Sequence, residues 1–129
     1  MAIDSITSNV LSPRYADLYA SQGTDFYLNM IVKFDNNIIK DISSVNYTLT
    51  GKIKKTYFST ETPIFFEVTI DTDSSPYTGI FTLHLSAEQT AAMTAGRYVY
   101  EVILSDGSSS PSILTKILYG KLEIYPSVN

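Results

Sequence analysis

The strongest constraint on the fold lies in residues 79–102, where a period-two apolar pattern stops, gives way to a helix signal and then resumes. Residues that recur at every second position share one face of a β-strand. Two such runs flank the interruption; they consist of Phe81, Leu83 and Leu85, and of Tyr98, Tyr100, Val102 and Leu104. This pattern predicts a strand that leaves one sheet, turns a compact corner and enters a second sheet, as in a β-sandwich.

The interruption has the spacing of a short helix. Ser86 can accept a hydrogen bond from a free backbone N–H one turn on, and Gln89 three residues later completes a capping box. Ala87, Ala91 and Ala92 favour helix. Gly96 can adopt the left-handed conformation that stops a helix, so we expect the helix to end there.

The rest of the chain alternates strand patterns with turn signals. Strands are expected over residues 25–34, 38–39, 45–57, 65–71 and 113–125, with Gly51 marking a bulge or a close approach. In the last strand, Leu114, Leu118, Leu122 and Ile124 are expected inside, and Ile117, Tyr119, Glu123 and Tyr125 outside. We therefore predict an all-β, immunoglobulin-like β-sandwich of about seven strands, with one short helix between the fifth and sixth strands.

We divide the chain into an N-terminal arm or edge segment, residues 1–24, and a sandwich domain, residues 25–129. Isolated apolar residues in the first part, namely Ile3, Ile6, Val10 and Leu11, fit either a frayed terminus or an arm that docks on a neighbouring subunit. Pro13 and Gly23 bracket a stretch that could form an edge strand or an apolar plug.

Composition limits the classes of function. The formal charge of −4 works against general affinity for nucleic acid. No apolar run approaches the roughly 20 residues of a membrane helix, and no secretory signal is visible, so no membrane partner is expected. The chain has no cysteine, which excludes thiolate metal sites and fits assembly in a reducing cytoplasm.

No residue pattern predicts catalysis, a cofactor or a metal. His84 is the only histidine and is expected on an outward face, so a general base would lack an orienting partner and a nucleophile; Ser86 is merely close in sequence. Residues 71–74 place oxygen ligands at alternate positions, but they lack the glycine and terminal glutamate of a calcium loop. A solvated turn is the simpler interpretation.

Two surface features remain open. Lys52, Lys54 and Lys55 fit either an acidic partner surface or a lysine-protected edge or solvent face. Of the ten tyrosines, Tyr47, Tyr98 and Tyr100 are expected in the core, and Tyr27, Tyr57, Tyr119 and Tyr125 on the surface. Exposed tyrosines suit a protein interface and also a carbohydrate site.

Two segments resemble a known family. Residues 41–55 resemble a strand motif of the immunoglobulin-like domains in virion proteins of tailed bacteriophages, including the N-terminal domains of baseplate upper proteins. Residues 79–101 resemble the corner of the same domains, best at Gly96-Arg97-Tyr98-Val99-Tyr100-Glu101. Val45 stands where the family often has glycine, and the N-terminal segment has no counterpart.

This resemblance implies a non-enzymatic building block of a virus particle, in the tail, baseplate, neck or capsid decoration, assembled in the host cytoplasm. The implied partners are other virion proteins, with a homo-oligomer or repeated copies in a symmetric particle. The alternative is a carbohydrate-binding module for host attachment. The expected interface residues are Ile3, Ile6, Val10, Leu11, Tyr15, Tyr19, Tyr27, Tyr119 and Tyr125.

Overall fold

Two β-sheets and one short helix make up the protein in a computed structural model that describes residues 11–71 and 79–128. The strands are β1 (Arg14–Tyr15), β2 (Leu18–Ser21), β3 (Phe26–Ile31), β4 (Tyr47–Lys54), β5 (Ile64–Phe65), β6 (Glu67–Ile70), β7 (Ile80–Leu85), β8 (Gly96–Asp106) and β9 (Ile113–Tyr125), and the helix is α1 (Ala87–Ala92). The large sheet has the order β1-β9-β8-β4-β5, with β2 also paired to β9. The small sheet has the order β3-β7-β6.

The predicted all-β sandwich with one short helix is confirmed. The described residues hold seven strands if β1 and β2 are counted as one interrupted strand and β5 and β6 as another. Helix α1 then lies between the fifth and the sixth strand. The predicted strand at residues 38–39 is only a single bridge between Lys33 and Ile39. The inner faces of the sheets enclose the core, whose largest fully buried side chains are Tyr100, Phe81, Ile42, Ile53, Leu83, Leu85, Leu118, Leu122 and Ile124.

The corner between the sheets forms as the sequence predicts. Strand β7 belongs to the small sheet and β8 to the large sheet, and α1 joins them. The amide of Gln89 donates to Ser86 Oγ over 3.1 Å, and the amide of Ser86 donates to Gln89 Oε1 over 3.0 Å, so the capping box is complete. The fully buried Thr90 hydroxyl donates to the Thr24 carbonyl over 2.8 Å, which fixes the helix to the start of β3.

The prediction for the end of the helix is wrong. The helix ends at Ala92, and Gly96, with a φ of 135°, is instead the first residue of β8. Met93 leaves the helix early because its extended backbone carries its side chain into the core, where it is 3% exposed. The Gln22 side chain donates to the Met93 carbonyl over 2.8 Å, which satisfies a carbonyl group that the helix leaves unpaired.

The single strand predicted over residues 65–71 is split between the sheets. Strand β5 pairs with β4 in the large sheet, whereas β6 pairs with β7 in the small sheet. Phe66 lies at the break with its ring buried, and its amide donates to the Gly51 carbonyl over 3.0 Å. A Cβ atom on Gly51 would lie 2.8 Å from the Phe66 ring, so the close approach expected at this glycine is present.

A bulge in β9 overturns part of the predicted alternation. The register of β8 with β9 shifts so that Ile103 pairs with Lys116 while Val102 pairs with Leu118. Ile117 is the extra residue, and it is buried rather than outward. Because one inserted residue reverses the facing of all residues on one side of it, Leu114 is outward and 68% exposed instead of lying in the core.

The N-terminal segment contributes an edge to the large sheet. Strands β1 and β2 both run parallel to β9 and are separated by Ala16 and Asp17. Leu11 is half-buried and packs against the core of its own chain. The other expected arm residues, Ile3, Ile6 and Val10, and residues 72–74 of the oxygen-rich turn, lie outside the described residues.

Candidate interaction face on the large sheet

Four of the predicted interface residues lie together on the outer face of the large sheet. The Tyr15 and Tyr119 rings meet edge to face with centroids 5.3 Å apart, and the Tyr19 and Tyr125 rings stack with centroids 6.1 Å apart. Tyr15, Tyr19 and Tyr125 are 52%, 57% and 43% exposed, and Tyr119 is partly exposed. We call these four residues the tyrosine face.

Strand register explains why the four rings meet. After the bulge, β9 places Tyr119, Lys121, Glu123 and Tyr125 on its outer side and buries the residues between them. The parallel pairing of the N-terminal strands sets Tyr15 opposite Tyr119 and Tyr19 opposite Glu123, diagonal to Tyr125. Over the six residues from Tyr119 to Tyr125 a strand advances roughly 20 Å, so the two ring pairs span a surface of interface scale.

A backbone contact beneath this face fixes the N-terminal edge. Tyr100 is buried and opposes Gly120, and its hydroxyl donates to the Ala16 carbonyl over 2.7 Å. The same carbonyl occupies the space that a side chain on Gly120 would need. Gly120 thus permits the approach of Ala16, and the amide of Ala16 donates to the Tyr119 carbonyl over 3.0 Å. We call this contact the glycine crossing.

Tyr15 and Tyr100, which both lie near the N-terminal edge, keep their protons at neutral pH. Burial, followed by the nearby Asp17 charge, raises the pKa of Tyr100. A hydrogen bond with the Asp17 side chain is the main cause that raises the pKa of Tyr15. Each hydroxyl therefore acts as a neutral hydrogen-bond donor, Tyr100 to the backbone and Tyr15 at the surface.

A shallow pocket of about 140 Å³ continues the tyrosine face onto β4 and β8. Its lining residues include Lys52, Lys54, Val99 and Glu101, with Tyr57 from the loop after β4. The prediction of Tyr57 as a surface residue is confirmed, since it is 54% exposed, although Tyr57 is not among the expected interface residues. The strand expected over residues 45–57 ends at Lys54 as β4, so Tyr57 lies in the following loop and only proximity in the fold connects it with this face.

Lys52 and Lys54 point outward from β4 on the solvent-facing side of the large sheet. Strand β4 pairs with β8 along its whole length and with β5 only at Lys52 and Ile53. The Lys54 ammonium donates to the Ser59 carbonyl over 3.4 Å. Lys55 lies over the Tyr98 ring, with its nitrogen 4.4 Å from the centroid, and so shields a core residue.

The remaining predicted interface tyrosine lies on the opposite side of the molecule. Tyr27 is on the outer face of the small sheet, 65% exposed, and its ring stacks on the His84 ring with centroids 4.2 Å apart and planes 5° apart. His84 is on the predicted outer face, and its Nε2 lies 3.0 Å from Asp25 Oδ1. The same carboxylate oxygen accepts from the amide of Ala87 over 3.2 Å.

The contacts around His84 explain local structure. Asp25 gives the imidazole the orienting partner that sequence reasoning found missing, and it also caps the start of α1. The Ser86 hydroxyl, the nearest candidate nucleophile in sequence, accepts from the Gln89 amide as the helix cap. No cluster of three or more metal-ligating side chains occurs in residues 11–71 and 79–128, and none of the helices there is long and apolar enough to cross a membrane.

No protein-family model matches the chain, and no curated protein matches it.

Proposed function

We propose that this protein is a non-enzymatic structural component of a tailed-bacteriophage virion that works through protein–protein contacts. The observation that carries the proposal is the tyrosine face, in which three exposed rings and one partly exposed ring lie on the outer side of the large sheet. Its partners are other virion proteins, including further copies of this chain, and it joins the particle in the host cytoplasm. The resemblance of residues 41–55 and 79–101 to phage immunoglobulin-like domains supports the virion assignment.

The composition of the face suits a protein contact. Tyrosine and arginine are enriched at interfaces, where rigid amphipathic rings bury large areas at a small entropic cost. The tyrosine face has charged neighbours within the same sheet, and Arg97 and Glu123 approach to 3.9 Å. Exposed pairs of this kind contribute little stability but select the partner and its orientation.

The first test locates the chain. Particles purified from the phage that encodes it should contain the protein in fixed proportion to known virion proteins by quantitative mass spectrometry, and imaging with a bound antibody should place it at one position. A chain that remains in the lysate and is absent from purified particles would contradict the proposal.

The second test concerns the face. We expect Tyr119→Ser to reduce incorporation into particles by roughly 10–100-fold, because central aromatic residues carry most interface energy. Ile38→Ser is the matched control, since Ile38 is 59% exposed and belongs to the hairpin that follows β3. Equal incorporation of both variants, each folded by circular dichroism, would rule out this face as the contact.

A carbohydrate-binding module for host attachment is the second candidate, and the pocket beside Tyr57 favours it. An aromatic ring bordered by Lys52 and Glu101 could stack on a sugar and bond its hydroxyls. Under this alternative, the protein binds host glycans on an array and Tyr57→Ala abolishes binding while Tyr27→Ala does not. Absence of glycan binding by the wild-type chain would exclude it.

A further inference from the structure

Charge is distributed unequally between the two outer faces of the sandwich. The outward charged side chains of β4, β8 and β9 are the cations Lys52, Lys54, Arg97, Lys116 and Lys121 and the anions Glu101 and Glu123. These five positive and two negative charges give a local excess of three positive charges in a chain whose formal charge is −4. Asp17 beside Tyr15 reduces this excess by one.

The small sheet has the opposite character. Strands β3, β6 and β7 and helix α1 contain no lysine or arginine. Their acidic residues are Glu67, exposed on β6, and Glu88 in the first turn of α1, and Asp25 lies against His84. Tyr27, His84 and Glu67 are direct cross-strand neighbours, so they form one row across the sheet with the exposed Tyr27 ring at one end and a carboxylate at the other.

We propose that copies of this chain associate head to tail, with the row Tyr27–His84–Glu67 of one copy seated on the pocket beside Tyr57 of the next. The inference rests on the proposed function and specifies how repeated copies contact one another. The occupant is a second copy because the small-sheet face carries Glu67 and no lysine or arginine on its strands, whereas the large-sheet face has an excess of positive charge.

The shapes of the two faces agree with this assignment. The pocket beside Tyr57 has a volume of about 140 Å³, and a cavity of roughly 150 Å³ accommodates a benzene ring. The Tyr27 ring projects from its sheet and is 65% exposed. One face of this ring lies on His84, so its free face would meet the Lys52 and Lys54 side chains, whose ammonium groups attract an aromatic face. Glu67 would approach the same lysines.

Charge also favours this contact over the symmetric alternative. Two large-sheet faces in contact would set one surface with an excess of positive charge against another, which opposes association. The two sheets pack face to face, so their outer faces point in opposite directions and one molecule offers both halves of the contact at once. Such a heterologous contact propagates into a ring or a filament.

Charge reversal in the isolated full chain tests the proposal. Sedimentation velocity at low salt should detect concentration-dependent association, and Glu67→Lys and Lys54→Glu should each weaken it about tenfold or more. Mixing the two variants should restore it, because each reversed face then meets an oppositely charged one. Asp35→Lys is the control with the same charge change as Glu67→Lys, since Asp35 lies in the turn after β3, where its carboxylate accepts from the Ser12 hydroxyl over 2.8 Å.

Three results would overturn the inference. The first is a wild-type chain that stays monomeric up to roughly 1 mM, the concentration range of weak contacts. The second is association that the charge reversals leave unchanged. The third is a mixture of the two variants that fails to restore association. None of them bears on whether purified particles contain the chain, so the proposed function stands or falls separately.

Discussion

The corner at α1 and the glycine crossing both hold segments of the sandwich together, but they are built from different kinds of contact. At the corner, Ser86 and Gln89 are three residues apart and bond each other. At the crossing, Tyr100 and Ala16 are 84 residues apart, and they meet only because β9 pairs with β8 on one side and with the N-terminal strands on the other. The comparison teaches that the corner is specified locally, whereas the N-terminal half of the tyrosine face depends on the assembled sheet.

The largest expected effect is that of Gly120→Val. Valine favours strands, but here its side chain would collide with the Ala16 carbonyl, and overpacking of this kind costs about 3 kcal/mol. Urea denaturation should show the loss, and hydrogen exchange should show early opening of residues 14–21.

Gly23→Ala is the control for backbone strain alone. Gly23 has a φ of 77° and no atom within 4 Å of an added Cβ, so the change should cost only about 1 kcal/mol. Equal losses for the two variants would show that the crossing is not a tight contact.

Tyr100→Phe comes next, with an expected cost of about 1–2 kcal/mol, because the Ala16 carbonyl loses its buried donor. Tyr98→Phe is the matched change at the corner, where the Tyr98 hydroxyl donates to the Thr94 carbonyl over 2.9 Å. Hydrogen exchange should accelerate at residues 14–21 for Tyr100→Phe only. Acceleration there in both variants would mean that exchange at residues 14–21 follows the global stability of the protein and not the hydrogen bond from Tyr100 to Ala16.

At the corner itself, Ser86→Ala should cost about 1 kcal/mol, since it removes the acceptor for the Gln89 amide. Ser86→Asp keeps an acceptor and should recover most of the loss in thermal denaturation. We expect neither variant to change exchange at the N-terminal edge, and a change there would show that the two regions are coupled.

The smallest expected effect is a change in how the stability of the fold depends on acidic pH. Ser108 donates to Asp106 from its side chain and its backbone, which holds the pKa of Asp106 below its usual value. A carboxyl whose pKa is lower in the folded state contributes stability above the unfolded pKa and loses it as the pH falls. Asp106→Asn should therefore be less stable than wild type at about pH 6, and the difference should shrink as the pH falls through the lowered pKa of Asp106. A constant difference across this range would contradict the assignment.

The sequence predicted those parts of the fold that neighbouring residues specify. The alternation of Phe81, Leu83 and Leu85, the capping box and the inward tyrosines of β8 all follow from periods of two or three residues. The bulge at Ile117 has no such signal, because an inserted residue is recognisable only against its partner strand. For the same reason the alternation over residues 65–71 predicts one strand and gives no sign of the split at Phe66.

The sequence likewise predicts only part of the tyrosine face. Tyr119 and Tyr125 could be placed outward from alternation alone, but their grouping with Tyr15 and Tyr19 depends on parallel pairing of distant segments. Tyr27 has the same exposed character and belongs to the other side of the molecule. Tyr57 joins the face from a loop, where periodicity gives no information.

Tyrosine footprinting of assembled particles tests the contact surface most directly. Nitration by a soluble reagent should modify Tyr15, Tyr19, Tyr119 and Tyr125 in the isolated chain, as their exposure allows. In intact particles we predict that these four lose reactivity together, while Tyr100 is unreactive in both states. Four tyrosines that react in the particle as fast as in the free protein would contradict the account.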